Sequence, residues 1–160
     1  KEFFKAVEQG VLDSAPGGAM AGYPFIGVKV TLDKMEFNDL DSNEVAYTIA
    51  ASMAFKEACQ TAGLCLMEPC MELEVTTPQE NAGDVISDLN SRRGKILSMN
   101  PKGNKEIIKS EVPLAQMFGY STDLRSKTQG RASFSMSFKH YDKMDFSLAK
   151  QVLEKRGIFI

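Results

Sequence analysis

Between residues 66 and 141 the hydrophobic period changes from two to about 3.6 and back in a fixed order, and few folds accept that order. Met71, Leu73 and Val75 alternate with Glu72 and Glu74, which is the spacing of a strand with one buried face. The two glutamates share the other face, and they read as a solvated sheet surface rather than an acid–base pair. Thr77-Pro78-Gln79-Glu80 then stacks helix-start signals, with Thr77 as the expected N-cap, and Val85, Ile86 and Leu89 supply a buried stripe. Arg92 and Arg93 suit the last turn of that helix, and Gly94 is expected to close it. Strands near Lys95–Met99 and Glu106–Val112 flank the turn Pro101-Lys102-Gly103-Asn104. A second helix is expected from about Pro113 to Leu124, and a loop from Ser121 to Arg131. The final strand sets Ala132, Phe134, Met136 and Phe138 against Ser133, Ser135, Ser137 and Lys139. The sum is β-α-β-β-α-β, a ferredoxin-like domain with an antiparallel four-stranded sheet and both helices on one face.

Residues 1–65 read only α-β-α. The first helix, over 1–15, carries an apolar stripe of Phe3, Phe4, Val7, Val11 and Leu12 and stops at Pro16-Gly17-Gly18. The strand sets Ile26, Val28, Val30 and Leu32 on one face and runs into an acidic loop, Asp33 to Leu40. The second helix starts at a capping box, Asp41 with Glu44. It repeats Val45, Ile49 and Met53 beside Ala46, Ala50 and Ala54, which marks a close packing, and ends at Gly63. One strand cannot bury two helices, so this lobe is expected to be a truncated remnant of a ribosomal-protein-like domain, within an α+β chain. Lys1 falls inside a helix, and the sequence reads as a piece of something longer. A short amphipathic helix, about Asp145–Arg156, presents Phe146, Ala149, Val152 and Leu153.

Charge is divided unevenly. Residues 1–91 hold 5 Lys/Arg and 15 Asp/Glu, a net of -10, while residues 92–160 hold 14 and 6, a net of +8. A basic half calls for an anionic partner, or the two halves attract each other. Ser121-Thr122-Asp123-Leu124-Arg125-Ser126-Lys127-Thr128-Gln129-Gly130-Arg131 gathers three cations and four hydroxyls, a composition that suits phosphate oxygens or a capped, solvated connection.

Catalytic signatures are missing from the sequence. It contains no Gly-x-x-x-x-Gly-Lys-Ser/Thr phosphate loop, no Gly-x-Ser-x-Gly elbow and no His-Glu-x-x-His helix. His140, the one histidine, has no visible nucleophile or orienting partner. Cys59, Cys65 and Cys70 follow no metal spacing and read as reduced thiols, Cys65 and Cys70 as small buried residues. No metal ligands and no catalytic residues are assigned. No run of apolar residues is long enough to span a membrane, no secretory leader is visible, and a cytoplasmic location is expected.

Several long motifs resemble, in order, the C-terminal part of bacterial elongation factor G. They are Glu68-Pro69 with Glu74-Val75-Thr76-Thr77-Pro78, Gly83-Asp84-Val85-Ile86-Ser87-Asp88-Leu89-Asn90-Ser91-Arg92-Arg93-Gly94, and Met117 through Arg131. In the first half, Ala21-Gly22-Tyr23-Pro24, Asp41-Ser42-Asn43-Glu44-Val45-Ala46 and Ala54-Phe55-Lys56-Glu57-Ala58 resemble the end of the family's fourth domain. The resemblance implies the end of domain IV over 1–65, domain V over 66–141 and, over 142–160, a C-terminal helix that packs back on domain IV. It implies a segment of a translational GTPase that promotes tRNA–mRNA translocation, with GTP and Mg held by an upstream domain and no cofactor in this segment. The implied partner is the ribosome: large-subunit rRNA on one side, the decoding region with its tRNA and mRNA on the other, and no membrane. The fragment is expected as a monomer whose truncated lobe offers an edge for pairing.

On this reading Arg92, Arg93, Ser121, Thr122, Arg125, Ser126, Lys127 and Arg131 face rRNA, and Met35, Glu36, Phe37, Asn38 and Asp39 form a tip loop at the decoding region. Many family members carry histidine where this chain has Asn38, which cannot become cationic. A ribosome-recycling paralogue and a free-standing ferredoxin-like ligand-binding regulator are the competing readings. A thiol enzyme is a more distant one.

Overall fold

The computed structural model describes residues 3–159. The chain divides into two compact units, one of residues 66–145 and one of residues 1–65 with 146–160.

In the first of these, β1 (Met67–Pro78), β2 (Lys95–Lys102), β3 (Lys105–Pro113) and β4 (Ser133–Lys143) form one sheet in the order β2-β3-β1-β4, with antiparallel neighbours throughout. The helices of this unit are α3 (Ala82–Ser91) and α4 (Tyr120–Thr128); α1 and α2 belong to the other unit and are described below. This is the expected split β-α-β-β-α-β order. Leu73, Val75, Ile108 and Val112 point from the two central strands onto Val85, Leu89, Tyr120 and Leu124, all at most 4% exposed. The alternation on β1 therefore holds as read, and Glu72 and Glu74 lie on the opposite, open face. There Lys109 pairs with Glu74 at 3.3 Å, and Lys139 lies 4.0 Å from Glu72.

Several local boundaries differ from the sequence reading. Thr77 does not cap a helix. β1 continues through Pro78, and a 3-10 turn over Gln79–Asn81 leads into α3. Pairing with Glu106 keeps Thr77 in the sheet, and its side chain is fully buried. At the end of α3 the left-handed residue is Arg93 (φ 61°), not Gly94. The Gly94 amide donates to the Leu89 carbonyl at 2.8 Å and the Arg93 amide to Asn90 at 3.1 Å, a Schellman closure. Gly94 is required for close approach, since a Cβ there would lie 2.6 Å from the Leu89 oxygen. The hairpin tightens to Gly103-Asn104, because Lys102 and Lys105 are themselves paired. The segment from Ser121 is helix rather than loop: Gly119 (φ 76°) turns the chain into α4, which runs to Thr128, while Leu114–Gln116 is a 3-10 turn.

The other unit contains α1 (Phe4–Ser14), α2 (Glu44–Ala62) and α5 (Phe146–Glu154). The faces of α1 and α2 that meet are made of small residues, not the large apolar stripes. Ala6, Gly10 and Ser14 face Thr48, Ala51 and Ser52. The Ser14 hydroxyl lies 2.6 Å from that of Ser52, and the Thr48 hydroxyl donates to the Ala6 carbonyl at 3.2 Å. The buried positions of α2 are Ala51, Phe55 and Cys59, whereas Val45, Ile49 and Met53 are more than half exposed. Phe4 and Leu12 of α1 and Phe146 of α5 are exposed as well, and α5 buries Ala149 and Leu153. Asn43 caps α2, its side-chain oxygen accepting the Ala46 amide at 2.8 Å, so Asp41 is not the cap.

The expected strand over Ile26–Leu32 is not formed. The segment bends at Gly27 (φ 64°) and pairs with no strand among the described residues, and Ile26, Val28, Val30 and Leu32 are 43–52% exposed. Alternation makes a chain ready to be a strand; only a hydrogen-bonded neighbour makes it one.

Candidate functional site

The two arginines that end α3 are tied inward. Arg92 donates through Nε to Asp88 at 2.9 Å and through Nη1 to the carbonyl of Gln116 at 2.6 Å. Its other nitrogen contacts Asp123, and its guanidinium lies over the Tyr120 ring, 5.1 Å from the centroid. Asp88 accepts a second cation, Lys127, at 2.5 Å. Burial works against charge on this carboxyl, but the hydrogen bonds and charges of Lys127 and Arg92 hold its pKa below the ordinary value of 3.8. Burial also pushes the Tyr120 phenol up, with Asp88 adding to the effect. One carboxylate thus fastens the end of α3 to α4.

Arg93 forms a bidentate pair with Glu68 of β1, at 3.1 and 2.6 Å. Glu68 is only 5% exposed. The hydrogen bond from Arg93 to this carboxylate raises the arginine pKa against the pull of burial. The pair anchors a left-handed, non-glycine residue that would otherwise cost about 1–2 kcal/mol.

On α4 and just beyond it the cations separate into two kinds. Arg131 is engaged by Glu80, by the Asn81 side chain at 3.1 Å and by the Thr128 carbonyl at 3.3 Å. Lys127 is held by Asp88. Arg125 is exposed and, among the described residues, makes no ion pair or side-chain hydrogen bond. Ser121, Thr122 and Ser126 are exposed on the same helix. Of the eight positions expected to face rRNA, four cations are ion-paired within the unit, and Arg125 with the three hydroxyls is open to solvent.

The tip-loop positions lie together in the other unit, between the segment over residues 26–32 and α2. Lys34 pairs with Glu36 at 2.8 Å, and the Tyr47 hydroxyl donates to the Glu36 carbonyl at 2.7 Å. Phe37 stacks on Phe3, with centroids 6.1 Å apart, yet is 62% exposed. Asn38 serves the loop itself: its side-chain oxygen accepts the Leu40 amide at 3.0 Å and its nitrogen donates to Asp41 at 3.3 Å. Met35 is half-buried and Asp39 exposed.

Sequence reasoning missed the two carboxylates that organise the arginines, Asp88 and Glu68. An i,i+4 spacing to Arg92 was a signal for Asp88; Glu68 lies 25 residues from Arg93, and nothing local points to it. It also treated Cys70 and His140 separately, although the sheet register sets them face to face. Cys65 is exposed, contrary to its reading as buried, because it lies in the irregular connection between α2 and β1 rather than in the sheet.

Comparison with known proteins places this geometry. The family described as elongation factor G, domain IV, matches residues 1–63, and the one described as elongation factor G C-terminus matches residues 65–152. A solved structure from Thermus thermophilus superposes with a TM-score of 0.88 at 36% identity, over 98% of this chain and 24% of that one. The chain belongs to the elongation factor G family. It carries the family's domain IV and C-terminal regions, and neither matched region is the family's GTPase domain. The chain therefore spans about a quarter of the length of that solved relative. Among the described residues no helix is long and apolar enough to cross a membrane.

Proposed function

We propose that this chain is the ribosome-contacting end of a translational GTPase that drives tRNA and mRNA through the ribosome during elongation. In this reading it acts without a cofactor of its own, and GTP with Mg belongs to a domain upstream. The observation that carries the reading is the collinear match of two successive family regions over residues 1–152. The unpaired, exposed Arg125 beside Ser121, Thr122 and Ser126 supports an rRNA contact through α4: a guanidinium fork with neighbouring hydroxyls fits phosphate oxygens. Arg92 and Arg93 hold that surface in shape, and the tip loop around Asn38 is the part directed to the decoding region, in the cytoplasm.

Ribosome binding across a salt series tests the reading. Arg125→Ala is expected to lower the log–log salt slope by ~0.7–0.9, one phosphate contact, with the fold unchanged. Lys127→Ala, which removes a cation already neutralised by Asp88, is expected to change the slope less. An unaltered slope in Arg125→Ala removes α4 from the interface, and failure of the wild-type chain to bind ribosomes at low salt rejects the proposal.

The acidic tip favours a second reading, a recycling paralogue. Asp33, Glu36, Asp39 and Asp41 surround Asn38, so this loop presents negative charge where a translocase must meet RNA. Complementation with the intact gene separates the two: rescue of a translocase-deficient strain favours the first reading, and rescue only of a recycling defect the second.

A further inference from the structure

Cys70 and His140 are paired across β1 and β4, and Asp142 stands two residues along the same strand. The Cys70 sulfur, a His140 ring nitrogen and an Asp142 oxygen all lie within 4.8 Å of one another. A register break creates this cluster. Met71 pairs with Phe138, so an uninterrupted ladder would put Lys139 opposite Cys70 and turn His140 to the other face. Instead Cys70 pairs with His140 and Lys139 is extra, a β-bulge that brings both His140 and Asp142 to the side of the thiol. The displaced Lys139 reaches Glu111 at 2.5 Å and leaves the cluster clear of its charge.

We propose that Cys70, His140 and Asp142 form a binding site for a divalent transition-metal ion of the zinc type. A thiolate, an imidazole and a carboxylate are the ligand kinds that such an ion takes, and three protein ligands leave a fourth position for water or an outside donor. Metal–ligand bonds of about 2.0–2.3 Å at tetrahedral angles set ligand atoms roughly 3.5 Å apart. Cys70 is buried and fixed by the sheet, while His140 is half-buried and Asp142 exposed, so side-chain rotation on β4 supplies the closure. Local charge favours a cation. The Asp142 carboxylate lies within 4.8 Å of the sulfur, while the nearby Arg93 is taken up by Glu68 and Lys139 by Glu111. Binding displaces the thiol proton and staples the edge strand to β1.

The test is Zn²⁺ titration of the whole chain under reducing conditions, read by calorimetry and by alkylation of Cys70. One ion per chain is expected, with Cys70 protected from alkylation when it is bound. His140→Gln and Asp142→Asn alter exposed or half-exposed side chains and spare the core; each is expected to weaken binding by about tenfold or more, and Cys70→Ser to abolish it. Absence of one-to-one binding, alkylation of Cys70 at the same rate with and without Zn²⁺, or a loss below about tenfold in either β4 variant overturns the proposal.

Discussion

At the scale of single residues, the arginine-rich surface is governed by its acids. Asp88 neutralises Arg92 and Lys127 in a site where its own side chain is 9% and that of Arg92 12% exposed. Removing the carboxylate leaves Lys127 without its partner and takes from the nearly buried Arg92 one of its two acids, Asp123 remaining. Asp88→Asn is expected to cost ~3 kcal/mol in urea unfolding, the scale of breaking a buried ion pair. Its pH dependence has a defined sign. The folded pKa lies below the unfolded value near 3.8, so the stabilisation is complete above that value and is lost as pH falls through the folded pKa. Acid titration of stability below about pH 4 is therefore expected to be shallower in Asp88→Asn than in the wild type. Arg93 follows the same logic: its removal leaves buried Glu68 without its partner, so a binding defect in an Arg93 variant must be separated from a loss of fold.

Individual elements show where sequence patterning suffices. On β1 the alternation of Met71, Leu73 and Val75 with glutamates was enough, since a central strand has neighbours on both edges to complete it. On Ile26–Leu32 the same alternation produced no strand, because pairing is a property of what lies alongside. Helix faces were misjudged for a related reason. Periodicity singled out Val45, Ile49 and Met53, but α1 approaches α2 over Gly10, where only small side chains fit. A Cβ at Gly10 would lie 2.2 Å from the Thr48 carbonyl oxygen and 3.1 Å from the Ala51 methyl. Gly10→Ala gains helix propensity yet is expected to lose ~1–3 kcal/mol through overpacking, measured as a fall in the melting of helical circular dichroism. The family motifs were legible as strings, but the ion pairs Arg93–Glu68 and Arg131–Glu80 span 25 and 51 residues and became visible only with the sheet assembled.

For the whole molecule, backbone hydrogen bonding is distributed unevenly. β1 is paired on both sides from Cys70 to Thr76, whereas no amide from Ile26 to Phe37 donates to another backbone group among the described residues. Hydrogen exchange is expected to show the strongest protection at Leu73, Val75, Ile108 and Val112, and near-peptide rates over 26–37. Protection of 26–37 that grows with protein concentration would mean that a second chain completes the ladder. Recognition of the family came from long collinear motifs, while assignment of single contacts depended on which charges were already spent internally; that is why Arg125 stands apart from its neighbours only in three dimensions.

The bulge at Lys139 has one more effect, on solubility. β4, eleven residues long, is an edge strand of the sheet, with no strand on its outer side among the described residues, and such an edge is a template for stacking a foreign strand. A kinked border with a lysine on it resists such stacking. Deleting Lys139 would straighten that border, and the shortened chain should travel as larger species on size-exclusion chromatography while the parent does not.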